Sequence, residues 1–290
     1  MSQAISQTVK GTSTGVSGGA SGGLGPATAT LWKREMVRFF RQKNRVVSAL
    51  VTPILLWVGL GAGINKAFIP VSRQAVDAMP GEAGGHGYMA YFFPGTLSMI
   101  LLFTAIFSTI SVIEDRREGF LQGVLVAPIP RLAIVLGKVF GGASIAMIQA
   151  LVFLLLWPLV GSFPGVGAAL AAGGVLVLLS IAMTAMGLCI AWPMDSTAAF
   201  HAVMMLVLMP MWFLSGAMFP VSSAQSWLRI LMWANPLTYG QSVLSRALLG
   251  YDAVRTGLPV AVEVLLMLLF TAAVLTMAVR KVGKPRRDGV

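Results

Sequence analysis

Residues 114–132 read EDRREGFLQGVLVAPIPRL. They hold Glu114, Asp115 and Glu118 beside Arg116, Arg117 and Arg131, and residues 114–118 are the longest unbroken charged run in a chain that is 57% hydrophobic and only 11% charged. Long apolar runs lie on both sides. A soluble domain carries about 25% charged residues spread over its surface, so a lone charged island between greasy segments reads as a loop joining two membrane spans. A mean hydropathy of +0.82 agrees. The apolar runs are long and do not alternate, which selects spanning helices of about 20 residues over a β-barrel.

Working outward, hydropathy predicts six spans at 46–65, 89–113, 138–160, 168–192, 199–219 and 259–280. Residues 1–28 form a Gly/Ser/Thr-rich tract without the apolar stretch of a signal peptide, and read as a disordered cytoplasmic tail. Residues 29–45 follow as an interfacial amphipathic helix. A 100° step puts Trp32, Met36, Phe39 and Phe40 on one side and Arg34, Arg38, Arg41 and Arg45 on the other, with Lys43 close enough to the apolar side to snorkel. The transmembrane domain then covers 46–282, and 283–290 is a basic cytoplasmic tail.

Charge sets the orientation. With the N-terminus in the cytoplasm, only Lys66, Arg73, Arg229, Arg246 and Arg255 of the 21 Lys and Arg fall outside. The positive-inside rule thus places both termini in the cytoplasm and accounts for the net charge of +11 as topology. A nucleic-acid partner is not indicated, since no soluble basic domain exists to carry that function.

The quoted stretch is then the first cytoplasmic loop. Phe120, Leu121, Val124 and Leu125 give one apolar face to a short helix that stops before Pro128 and Pro130. Two readings stand side by side: a handle gripped by another protein, or a topology-setting loop whose helix lies on the bilayer.

Other candidates carry less. One cysteine, Cys189, excludes an intramolecular disulfide and a Cys-based metal cage, and His86 and His201 alone make no metal site. No catalytic residues are expected: Ser215 and His201 sit 14 residues apart on one span, about 21 Å along a helix. The GLGAG at 59–63 and the Gly137/Gly141 pair read as helix-packing signals. Asp195, in the short turn WPMDST, reads as part of an N-cap, and Glu263 as a carboxylate that snorkels outward or meets Arg246 or Arg255.

The order Glu114, Asp115, Arg116, Arg117, Glu118, Gly119, Phe120, Leu121, then Leu125, Ala127, Pro128, Arg131 and the pair Gly137-Lys138, resembles the signature of ABC-2 type transporter permeases. That signature runs approximately E-R-E-x-G-T-L-E-x-L-x-x-S-P, with Gly-Lys at the next span. Phe120, Gln122 and Ala127 depart from it. A second block, residues 213–250 with Asn235, Pro236, Leu237, Thr238 and Tyr239, resembles the family's end of span 5 and its re-entrant outer helices. The likeness is greatest to the branch exporting drugs, polysaccharides and lipids.

The resemblance implies an all-α integral membrane protein: six transmembrane helices, an N-terminal interfacial amphipathic helix, a cytoplasmic coupling helix and a re-entrant extracellular helix pair before the last span. It implies a coupling site for an ATPase subunit at Glu114, Arg117, Glu118, Gly119, Leu121, Leu125 and Pro128, with Leu121 and Leu125 as packing face. It implies a substrate path along Phe103, Phe107, Met205, Met209 and Phe213, and an outer gate at Trp233, Asn235, Pro236 and Tyr239. The chain has no G-x-x-x-x-G-K-[ST], so ATP and Mg are expected on a separate ABC ATPase. The other expected partners are a second permease copy or a homologous permease, and membrane lipid. The expected site is the cytoplasmic membrane of a bacterium, and the expected action is outward movement of an amphipathic substrate; the competing reading is an ATPase-independent carrier or channel.

Overall fold

Hydropathy and helix signals translate directly into an all-helical chain. The structure, a computed structural model, describes residues 23–42, 47, 49–61, 63, 87–161 and 165–283. Most of the expected tail (1–22), the residues Lys43, Arg45, Lys66, Arg73 and His86, and all but the first residue of the basic tail lie outside the described residues. In chain order the helices are α1 (Leu24–Arg41), α2 (Ala49–Gly61), α3 (Gly87–Ser108), α4 (Ile110–Arg117), α5 (Phe120–Val126), α6 (Arg131–Leu154), α7 (Val166–Ala191), α8 (Thr197–Trp212), α9 (Ser226–Ala234), α10 (Pro236–Leu249) and α11 (Val260–Gly283).

Among the described residues five helical runs are long and apolar enough to cross a membrane: Tyr88–Arg117, Arg131–Leu159, Val166–Ala191, Thr197–Ala217 and Val260–Gly283. The first expected span is described in part, as the shorter apolar helix α2. Two boundaries differ most from the sequence reading. α1 begins at Leu24, so residues 24–28 belong to the helix: Pro26 is tolerated in its first turn, and the hydroxyls of Thr28 and Thr30 donate to the carbonyls of Leu24 and Pro26. α6 begins at Arg131, seven residues before 138, because Pro130 stands at its N-cap and the charged Arg131 still lies within the first turn.

α3 is the central element and the most enclosed; α8 and α11 are the least. Phe92, Phe93, Leu97, Ile100, Leu101 and Ile106 of α3 are fully buried, with Phe93 stacked on Phe153 of α6 at 4.7 Å. Glycines set the close approaches: a Cβ on Gly142 would lie 2.1 Å from Ser108, and one on Gly187 3.0 Å from Ile106. Buried polar pairs, Ser98 with Gln241 and Thr104 with Gln149, bridge α3 to α10 and α6.

Beyond Pro210, α8 passes into a π-helical turn, Phe213–Ala217, in which Gly216 takes φ +85° against Val254. Then come α9 and α10, broken at Asn235-Pro236 as the sequence predicts.

Candidate functional site

The site begins with a carboxylate that has no contact with solvent. Asp115, in the last turn of α4, is completely buried and accepts hydrogen bonds from three cations. Arg34 of α1 donates to its two oxygens at 2.6 and 2.9 Å, Arg38 donates to Oδ1 at 2.7 Å, and the ammonium of Lys138 closes the cluster from α6. Lys138 also donates to Glu35 at 2.5 Å and to Ser111 at 3.1 Å. Desolvating a carboxylate costs several kcal/mol, and only such a full set of charged donors offsets it. The Asp115 hydrogen bonds hold the Arg34 guanidinium above its usual range, against the opposing effect of burial.

The geometry follows from sequence spacing. Leu31, Arg34, Glu35 and Arg38 share one face of α1, and two glycines on α6 let that face approach: a Cβ at Gly137 would meet Leu31 at 2.6 Å, and one at Gly141 would meet Glu35 at 2.7 Å. α1 therefore turns Arg34 and Arg38 inward to the protein, while Trp32 and Phe40 stay exposed on its outer side. Both arginines were legible as charges on an amphipathic helix; their partner was not.

Every other charge of the quoted stretch is also tied to another element. Arg38 reaches Glu114 at 2.8 Å and Glu118 at 3.5 Å. Arg116 donates to the carbonyls of Trp192 and Met194, at 2.6 and 2.7 Å, and to Asp195 at 3.2 Å. Arg117 donates to the carbonyl of Asp195 at 3.0 Å. Arg131 donates to the carbonyls of Val282 and Gly283 at the end of α11, where the helix leaves acceptors unpaired. The loop between α3 and α6 is thus bolted to α1, to the α7–α8 turn and to α11. The N-cap of α8 is Ser196, whose hydroxyl accepts from Ala199; Asp195 binds Arg116 instead.

α5 hangs from this frame. Gly119 separates it from α4 with φ +76°, a left-handed conformation that glycine adopts without steric cost. Its apolar residues divide. Leu121 is buried inward against Val112, Val135, Val139 and Val282, so it is not part of a free packing face. Leu125 is exposed and Val126 is 85% exposed, with Pro128 in the exposed bend that follows. Phe120 is partly exposed beneath the Arg34 guanidinium, 3.6 Å from ring to cation.

The expected path residues lie together on α3 and α8. Phe103 and Phe107 are half-buried with ring centroids 5.9 Å apart, and Met205 and Met209 on α8 and Phe213 at the start of the π-helical turn are exposed at four-residue intervals. At the opposite end Asn235 is buried, its amide donating to the carbonyl of Met211 at 2.6 Å while its oxygen caps Leu237 at 3.1 Å. Tyr239 donates to the carbonyl of Trp233, Trp233 is exposed and Pro236 half-buried. Glu263 is fully buried, so it does not snorkel; it accepts from Ser242 at 2.7 Å and from Thr256, with Arg246 at 3.6 Å. Among the described residues no three His, Cys, Asp or Glu side chains are grouped to hold a metal ion.

A family model described as ABC-2 type transporter matches residues 26–249, from the first turn of α1 to the last residue of α10. The chain belongs to the ABC-2 type transporter family. Among relatives, the transport permease ycf38 of Cyanophora paradoxa is 28% identical over 72% of this chain and 69% of its own length. The multidrug ABC transporter permease YbhR of Escherichia coli is 26% identical over 52% of this chain, a match spanning only 42% of that protein. Nodulation protein J of Rhizobium leguminosarum bv. trifolii is 24% identical over 77% of this chain and 82% of its own length. This ABC-2 chain is therefore a multi-pass membrane protein and the permease component of an ABC transporter. The matched span contains the Asp115 cluster, α5, the exposed stripe of α8 and the Asn235 clasp.

Proposed function

We propose that this permease is one half of an ATP-driven exporter, with six spans, both termini in the cytoplasm, and residence in a bacterial cytoplasmic membrane. α5 is its coupling helix. A separate ABC ATPase, carrying the ATP and Mg2+, grips α5 through Leu125, Val126 and the Pro128 bend, and a second copy or homologous permease completes the complex. Glu114 and Glu118 tie the helix to α1, Arg117 ties it to the α7–α8 turn, and Gly119 is its hinge.

One observation carries this reading. The charges around α5 are tied to α1, the α7–α8 turn and α11, while the outer side of α5 is uncovered. A push on α5 reaches the N-terminus of α8 through Arg116, Arg117 and Asp195, and α8 bears the path along Met205, Met209 and Phe213. Closure of the ATPase would then shift the population of α8 positions and open the path outward.

The cargo is amphipathic: the path side chains Phe103, Phe107, Met205, Met209 and Phe213 are large, apolar and adaptable. The relative named a multidrug permease supports a drug-like molecule. α9 and α10 form the re-entrant outer pair that gates the path. α9 supports this, because Trp227, Ile230, Leu231 and Ala234 share an exposed face suited to the outer lipid boundary.

The test is purification from native membranes in mild detergent, beside Val126→Asp. A co-eluting chain with a phosphate-binding loop and ATPase activity, weakened by the substitution while the permease stays folded, supports the proposal. A permease that elutes alone under crosslinking supports an ATPase-independent carrier or channel.

A further inference from the structure

The stripe on α8 does not end at Met205. One turn closer to the coupling end stands His201, exposed and in the same four-residue register as Met205, Met209 and Phe213. Its ring stacks on Phe107 of α3, with centroids 5.2 Å apart and planes 26° off parallel. Its Nδ1 lies 2.8 Å from the carbonyl oxygen of Thr197. A carbonyl only accepts, so Nδ1 carries the hydrogen in this contact. In the neutral imidazole the second nitrogen, Nε2, is then an acceptor, and the stacking on Phe107 sets the plane in which it points.

The path is otherwise lined by rings, thioethers and alkyl groups. Along the exposed residues His201, Met205, Met209 and Phe213, the imidazole is the one strong hydrogen-bonding group; Thr197, next in register, is half-buried. It also sits near the N-terminus of α8, beside the turn that Arg116 and Arg117 hold to the coupling loop. An amphiphile entering from that end would lay its apolar body along Met205 and Met209 and leave its head group level with the imidazole.

Building on the path proposed above, we infer that His201 is a specificity-determining residue at the inner mouth, accepting a hydrogen bond from a cargo whose head group carries a hydroxyl or N–H donor. A head group without a donor finds only apolar contacts and enters less well. One neutral hydrogen bond corresponds to a preference of about threefold to tenfold.

The probes are two diazirine-bearing dodecyl amphiphiles, one ending in a hydroxyl and one in a trimethylammonium, which has no donor. Each is incorporated into nanodiscs with the full-length permease, irradiated, and its adducts are mapped by mass spectrometry. The expected result is labelling of Phe103, Phe107, Met205 and Met209 by both probes, with the hydroxyl probe favoured severalfold. His201→Phe keeps a ring on Phe107 but removes the nitrogen, and abolishes the preference; His201→Gln supplies a carbonyl acceptor and retains part of it. A preference unchanged in His201→Phe, or absent from the unsubstituted protein, overturns the inference and leaves the path standing. No labelling of the stripe by either probe overturns the path itself. Because His201 is exposed, melting curves of both variants should coincide with that of the parent, which separates a specificity effect from unfolding.

Discussion

Lys138 and Asp115 form a buried ion pair between α6 and the end of α4, each side chain at most 4% exposed. Neither group is alone: Glu35 and Ser111 share the ammonium, and Arg34 and Arg38 share the carboxylate. The cluster fastens the amphipathic helix to the end of α4 and to α6, and its members are not equivalent.

Asp115→Asn should be the more damaging change. It leaves Arg34, Arg38 and Lys138 facing a neutral amide at a fully buried position, at a cost of about 3–5 kcal/mol. Lys138→Met should cost less, about 1–3 kcal/mol, since Asp115 keeps both arginines and Glu35 still has Arg34 at 3.6 Å. Thermal melts in nanodiscs compare the two, and equal melting points would contradict the assignment of Asp115 as the hub.

Leu121 and Val126 should separate packing from docking. Leu121→Ala removes a buried side chain and should destabilise the fold by about 2–5 kcal/mol. Val126→Asp changes a side chain that is 85% exposed, so the melting point should move little while ATPase association falls. If Val126→Asp unfolds the protein, α5 is packed differently from the arrangement described here.

Two glycines in left-handed conformations should respond unequally. Gly119→Ala meets open space and carries only the conformational cost, about 1–2 kcal/mol. Gly216→Ala adds a contact 2.5 Å from Val254 to the same cost, so it should be the more destabilising of the two. Expression level and melting temperature read the difference.

Asn235 should show two functions in one side chain. Asn235→Asp keeps the cap on Leu237 but turns the donor to Met211 into an acceptor facing a carbonyl; Asn235→Ala loses both contacts. Both variants should destabilise by about 1–3 kcal/mol, and faster limited proteolysis between α8 and α10 should accompany the loss. Unchanged proteolysis in both would show that α9 and α10 are held by other contacts.

The sequence by itself determined the class, the helices and the family. Apolar runs of span length have few alternatives once backbone groups must be satisfied internally, so the helices at 166–191, 197–217 and 260–283 fall within a few residues of their hydropathy boundaries. The break at Asn235-Pro236 and the short helix before Pro128 were legible for the same local reason, because proline and its preceding residue restrict the chain. Only the tertiary structure decided where the charges go. Arg34 and Asp115 lie 81 residues apart, and nothing local distinguishes an arginine that faces water from one that binds a buried carboxylate. The same holds for Leu121 and Leu125, four residues apart on one apolar face, of which one is buried and one exposed. Periodicity reports a face; the elements that cover it come from elsewhere in the chain. Glycines at 137 and 141 let α1 approach, and that approach anchored the charged loop to the helix before the first span.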